Sequence, residues 1–272
     1  MNRRTYILVL LLVSMITVFG QDQNGTYSFL NSTNSARVAA LGGISIPIYD
    51  SDIQLATYNP SLINSDIDNN MALSYVDYYR DINFGTVQYG KTFEKAGSFV
   101  GTLQFHNYGR FYYAEENGYQ DGSTFTVSDY MFNVGWGRML NDNWTIGANL
   151  KFAGIQYENS SAFALAVDVA GTYKTSDGWC LSLTARNIGY ELYKNYEGDH
   201  SKLPFRMQLG MSKKLEHLPF TFIVVYDNLQ KWNLSYNDPL DLEGNYDPLS
   251  GQIVEKSKID KFAKNFFSHF VF

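Results

Sequence analysis

The residues of this 272-residue chain that could do chemistry are few and scattered. His106, His200, His217 and His269 stand at no spacing that would gather them on one metal, and each is expected at the surface or in an interfacial girdle. Cys180 is the single cysteine, which excludes an internal disulfide and leaves a small apolar filler as its use. Asp50-Ser51-Asp52 begins like a calcium loop, but the further oxygen donors at alternating positions are missing, so these side chains are expected to cap a helix or turn. The sequence has no Gly-x-Ser-x-Gly, no phosphate-cradling glycine loop and no Cys-x-x-Cys. No enzyme activity and no cofactor are expected from this set. A net charge of -6 and a pI near 5.2 provide no basic stripe for nucleic acid. What remains is charge in unusual places: Lys151, Asp168, Arg186, Arg206 and Asp227 lie within otherwise apolar, alternating segments, where each needs water or a partner.

The elements that must hold those charges are strands. From Met71 onward apolar and polar residues exchange every second position, the period of a half-buried strand. Trp144, Ile146, Ala148, Leu150 and Phe152 share one face, with Thr145, Gly147, Asn149 and Lys151 on the other. Phe163, Leu165, Val167 and Val169 oppose Ala164, Ala166 and Asp168, and Trp179, Leu181 and Leu183 oppose Ser182, Thr184 and Arg186. The pattern predicts about nine strands, at 71–79, 83–93, 97–107, 126–139, 144–156, 162–173, 179–189, 205–214 and 219–230. Asp168 and Arg186 fall on neighbouring strands across the 174–178 turn and on one face, which predicts an ion pair between them.

The connections are sorted by parity. The short ones (94–96, 140–143, 174–178 and 215–218) alternate with positions that include all three long ones (108–125, 190–204 and 231–266). Short turns on one side and long loops on the other is the arrangement of a bacterial outer-membrane β-barrel. A soluble two-sheet sandwich also has two kinds of face, but no reason to sort its loops this way. The apolar rows carry almost no charge, and a Lys or Arg at the lipid midplane would cost about 2–4 kcal/mol. Tyr78, Tyr79, Tyr112, Tyr113, Trp144, Tyr173 and Trp179 stand at strand ends, where interfacial aromatics belong. The expectation is therefore an all-β chain: an antiparallel transmembrane barrel at 69–272, apolar rows on lipid and the five charges in a wet lumen. "NFFSHFVF" at the end looks like the start of a tenth strand, and the strands completing the barrel are expected to be missing from this sequence.

Two segments precede the barrel. Arg3 and Arg4, the apolar run Tyr6 to Phe19 and Val18-Phe19-Gly20 before Gln21 form a secretory signal peptide at 1–20, too short to span a bilayer. Residues 21–68 are small, polar and irregular, the texture of a plug. Ser35 is placed to cap a short helix over Ala36 to Leu41 that Gly42-Gly43 would stop, and Asn59-Pro60-Ser61 marks a turn. Loop parity puts this plug on the side of the short, periplasmic turns.

The stretch "SARVAALGGISIPIYDSDIQLATYNPSLI", Ser35 to Ile63, resembles the PorV/PorQ group of outer-membrane proteins of the Bacteroidetes type IX secretion system, relatives of the FadL-type barrels. The likeness rests on Gly42-Gly43, on Asp52 about nine positions later, and on Asn59-Pro60-Ser61. It implies a FadL-like barrel of about 14 strands with an N-terminal segment in the periplasmic mouth. It further implies a non-enzymatic part in exporting or attaching cargo with C-terminal sorting signals, in company with proteins such as PorU, PorV and PorZ. A FadL-like channel for hydrophobic small molecules is the alternative.

Overall fold

The computed structural model describes residues 25–113 and 122–231 and the backbone of Phe270–Val271. The signal peptide expected at 1–20 and the long connection expected after residue 231 lie outside the described residues. Nine antiparallel strands pair in sequence order: β1 (Met71–Tyr79), β2 (Ile82–Phe93), β3 (Gly97–Tyr112), β4 (Thr124–Met139), β5 (Trp144–Tyr157), β6 (Ser160–Lys174), β7 (Trp179–Lys194), β8 (Arg206–Lys214) and β9 (Thr221–Tyr226). Phe270–Val271, β10, pairs with Tyr226 and Val225 of β9. The sheet is not closed: β1 pairs only with β2 among the described residues.

Strand periods are reproduced, whereas several boundaries are corrected. β3 does not end at the expected 107. The register with β4 shifts between Asn107 and Arg110, Gly109 adopts φ 83°, and the strand resumes to Tyr112. A bulge inserts residues without ending the ladder, and glycine tolerates the left-handed backbone it needs. Strand β7 likewise continues past the expected end at 189 to Lys194, through an irregularity at Asn187 (φ 56°). In the opposite direction, β9 stops at Tyr226, short of the expected 230.

The two faces of the sheet are reversed relative to a soluble fold. The apolar rows are the exposed ones: Leu73 is 69% exposed, Leu103 59% and Phe222 63%, together with Tyr89, Phe132, Trp144, Leu183 and Leu209. The polar rows are buried: Thr86 and Gln88, Thr102 and Gln104, Asn149 and Lys151, Asp168 and Thr172, Thr184 and Arg186. What buries them is the N-terminal segment, which lies along the inner face.

Locally that segment follows its sequence. The Ser35 side chain accepts from the Val38 N–H to cap helix α1 (Ala36–Ala40). Gly42 and Gly43, both at positive φ, close α1 as their N–H groups donate to the Ala39 and Val38 carbonyls, the double bond of a Schellman ending. Single 3₁₀ turns follow at Ile53–Thr57, Pro60–Leu62 and Ser65–Ile67, capped by Asp52, Asn59 and Asn64. Asp52 thus caps, as expected of the Asp50-Ser51-Asp52 stretch.

The segment runs along the inner face from one end of the sheet to the other. Tyr27, Phe29 and Leu30 pack with Ile155, Ala162, Ala164 and Leu203, at the end carrying the longer connections. Ile63 and Ile67 pack with Val100 near the short turns, and Pro60 crosses the inner face there. Glycines make the approach possible: a Cβ on Gly147 would lie 2.3 Å from the Pro60 carbonyl, and one on Gly137 2.3 Å from the Ile63 oxygen.

Candidate functional site

The five charges named from the sequence converge on the inner face, in two groups. Asp168 pairs with Lys151 at 2.8 Å, with 0% and 1% of the two side chains exposed. It also accepts from Asn149 Nδ2 at 3.0 Å and from the Asn187 N–H at 2.7 Å. The direct partner of Asp168 is therefore Lys151, and the expected Asp168–Arg186 pair does not form. The cause is the bulge. Val167 pairs with Ile188 but Val169 with Ala185, so Arg186 and Asn187 share the space opposite Asp168. With Asn187 in the left-handed region its N–H, rather than the Arg186 guanidinium, meets the carboxylate. Asn187 Oδ1 in turn accepts from Lys151 Nζ at 2.9 Å, while its Nδ2 donates to Asn31 Oδ1 and the Pro204 carbonyl.

Arg186, 4% exposed, donates from Nη2 to the Leu30 carbonyl at 3.5 Å and stands 5.6 Å from the centre of the Tyr58 ring. The second group is Arg206 and Asp227. The guanidinium grips the carboxylate through Nε at 2.8 Å and through Nη2, and Gln208 donates to the same carboxylate at 3.0 Å. A fork on a carboxylate is the stronger form of such a pair.

The N-terminal motif residues are brought to the same face but do a different job. Asn59 Oδ1 accepts from the Ser61 N–H and hydroxyl, and its Nδ2 donates to the Ile46 carbonyl at 2.7 Å and to Thr172 at 3.3 Å. Ser61, Thr172 and Ser182 continue the chain of hydroxyls at 2.7 Å each. Pro60, at the first position of its turn, holds the backbone that crosses Gly147. Asp52 and Asp50 both accept from Arg37, at 3.0 and 2.6 Å, and the hydrogen bond to Asp50 is the main reason the guanidinium binds its proton more firmly than usual. Gly42 and Gly43 end α1, and the Gly43 carbonyl accepts from the Thr33 hydroxyl at 3.2 Å.

At the other end Glu191, fully buried, accepts from Tyr27 and Tyr196, from the Ser201 N–H and from His200 Nδ1. Burial, reinforced by that carboxylate, pushes the Tyr27 hydroxyl far above its ordinary range, so it stays a donor. Burial likewise raises Tyr58, whose oxygen accepts from the Asn34 N–H at 3.1 Å.

His106 departs from expectation. It is buried, stacked on Phe84 with ring centres 5.0 Å apart and in hydrogen-bond contact with Gln104 and Ser32, because its position belongs to the inner row. His200 and His217 lie outside that row, and His269 falls outside the described residues. Cys180 is buried, as an apolar filler should be. No group of three His, Cys, Asp or Glu side chains able to hold a metal occurs among the described residues.

Sequence reasoning missed Asn149, Asn187, Glu191 and Arg37. The first lay on a named polar row and was readable as a partner for the charges. Asn187 required knowledge of the bulge, and Glu191 lay beyond the expected end of β7. Together these groups can fix a segment and orient charge. No family model matches the chain, and no curated protein sequence does either.

Proposed function

We propose that this chain is an outer-membrane β-barrel component of a type IX protein secretion system, PorQ-like, that supports export or surface attachment of cargo bearing C-terminal sorting signals without catalysing a reaction. The observation that carries the membrane half of this reading is the reversal of the faces. A sheet whose Leu, Phe, Tyr and Trp rows are exposed while Lys, Arg, Asp, Asn and Gln are buried has the wrong side out for water. Exposed apolar patches on soluble monomers rarely exceed a few hundred Å², and here the apolar rows run strand after strand. Hydrocarbon on the outside and a polar interior satisfy both sets at once.

The secretion half rests on the resemblance of Ser35 to Ile63 to the PorV/PorQ group, and with it come outer-membrane lipid, PorU, PorV-like and PorZ-like proteins and cargo C-terminal domains as partners. Support for a scaffold rather than a passage comes from the inner face, which residues 44–67 cover: beside Arg186 the space left between segment and sheet is about 20 Å³, room for about one water, while a recess of about 370 Å³ remains between Tyr49 and Cys180. Deleting the gene and comparing secreted proteins tests the reading. Loss of cargo with C-terminal sorting signals is the expected outcome, and intact secretion with impaired uptake of hydrophobic molecules would replace it with the channel.

A further inference from the structure

We propose that the inner face holds a binding site for one small monovalent anion of halide size, between the N-terminal segment and the sheet. It is independent of the secretion reading and follows from charge and hydrogen-bond accounting around Arg186. Asp168 is the carboxylate opposite Arg186, and it is already occupied by Lys151, Asn149 and the Asn187 N–H. Asp227 is gripped by Arg206 and Gln208. The buried guanidinium of Arg186 is left with one long bond to the Leu30 carbonyl and the face of Tyr58. Asp168 and Asp227 act on it through space and Arg206 opposes them, but no carboxylate is in direct contact with it, and a buried charge so incompletely paired is costly.

Beside it lies the cavity of about 20 Å³. Lys151 and Arg186 line it, and among the described residues no carboxylate does. Three of its lining side chains, each at least nine-tenths buried, carry a polar atom with no hydrogen-bond partner: Arg186 Nε, Thr86 Oγ1 and Asn34 Oδ1. The first two can donate to an anion, and the Asn34 amide can present its NH₂ after a flip that costs no other contact of its oxygen. The volume suits a single ion of about the size of a water and excludes sulfate or phosphate. Because Leu30, Gln54 and Tyr58 of the segment line the cavity opposite Thr86 and Lys151 of the sheet, an anion there clamps one to the other.

The test uses the full chain folded in detergent. Its melting temperature is followed at constant ionic strength as sodium gluconate is replaced by sodium bromide. A saturable rise of roughly 3–6 °C at tenfold over half-saturation is expected for the native chain. Arg186→Gln should abolish the bromide-dependent part of the rise. Thr86→Val, which keeps both cations, should raise the half-saturating bromide concentration about tenfold. Crystals of the native chain grown in bromide should show an anomalous peak beside the Arg186 guanidinium. Equal melting temperatures in gluconate and bromide, an undiminished bromide response in both variants, or a cavity without an anomalous peak would each overturn the proposal.

Discussion

Replacing Gly147 by Ala tests whether the N-terminal segment is seated on the sheet as described. The new Cβ would lie 2.3 Å from both the carbonyl carbon and oxygen of Pro60 and 2.5 Å from the Ser61 nitrogen, all backbone atoms that cannot swing aside. Restoring ordinary contact requires the turn to retreat by about 1 Å, against a normal overpacking cost of about 1–3 kcal/mol. The retreat also stretches the Asn59–Thr172 bond, already 3.3 Å, and the Ser61–Thr172 bond at 2.7 Å. Leaving one of those buried groups unmet adds about 1–3 kcal/mol. The expected loss is therefore about 2–5 kcal/mol. Gly154→Ala is the matched control, since a Cβ there meets nothing within 4 Å. It should stay within about 0.5 kcal/mol of the native chain. Denaturant unfolding in detergent reads both, and trypsin cleavage after Arg37 reads release of the segment. Equal unfolding midpoints for the two variants, or native protection of Arg37 in Gly147→Ala, would refute the seating.

Three further outcomes follow from the same geometry. Lys151→Met leaves Asp168 buried without its cation and should cost about 3–5 kcal/mol, while adding Asp168→Leu should restore much of it; a double variant no better than the single one would mean the pair is not the unit that matters. Leu103→Arg, in the middle of β3 on the exposed row, should cost about 2–4 kcal/mol if that row meets hydrocarbon, and a change within experimental error would count against the membrane reading. The Asp68 carboxylate is held below its usual range, chiefly by the Thr92 N–H and then by Lys91. Its clamp on β2 is thus present above the ordinary aspartate range and is lost as pH falls through the depressed value, and the Thr92 amide resonance should report that low titration; a midpoint at or above the ordinary value would contradict it.

Period and face were readable because each needs only neighbours in sequence: a side chain at Leu150 points away from one at Lys151 whatever the rest of the chain does. The α1 ends were readable for the same reason, since Ser35 and Gly42-Gly43 act on backbone within five residues. Partners were not. The absence of an Asp168–Arg186 pair depends on a bulge that sets two residues of β7 against one of β6, and the residue at positive φ there is Asn187 rather than a glycine. The extensions of β3 and β7 escaped because a bulge breaks alternation and imitates a strand end. His106 was misjudged on type, whereas its place in the row of Gln104 and Thr102 would have placed it inside.

The way the polar row is satisfied bears on whether the N-terminal segment could move aside. Five side chains of the sheet donate to carbonyls of that segment: Gln104 to Phe29, Arg186 to Leu30, Ser74 to Asn34, Ser212 to Pro47 and Asn149 to Ala56. These contacts start near the longer connections and finish near the short turns, so no single hinge releases them together. Withdrawing the segment would expose each donor and also uncover Ile53, Ile63, Ile67 and Val100, which bury one another only while it is in place. A gate needs an element whose two positions differ by a few kcal/mol, and this one is tied by apolar and polar contacts along its full length. The segment is accordingly part of the folded interior.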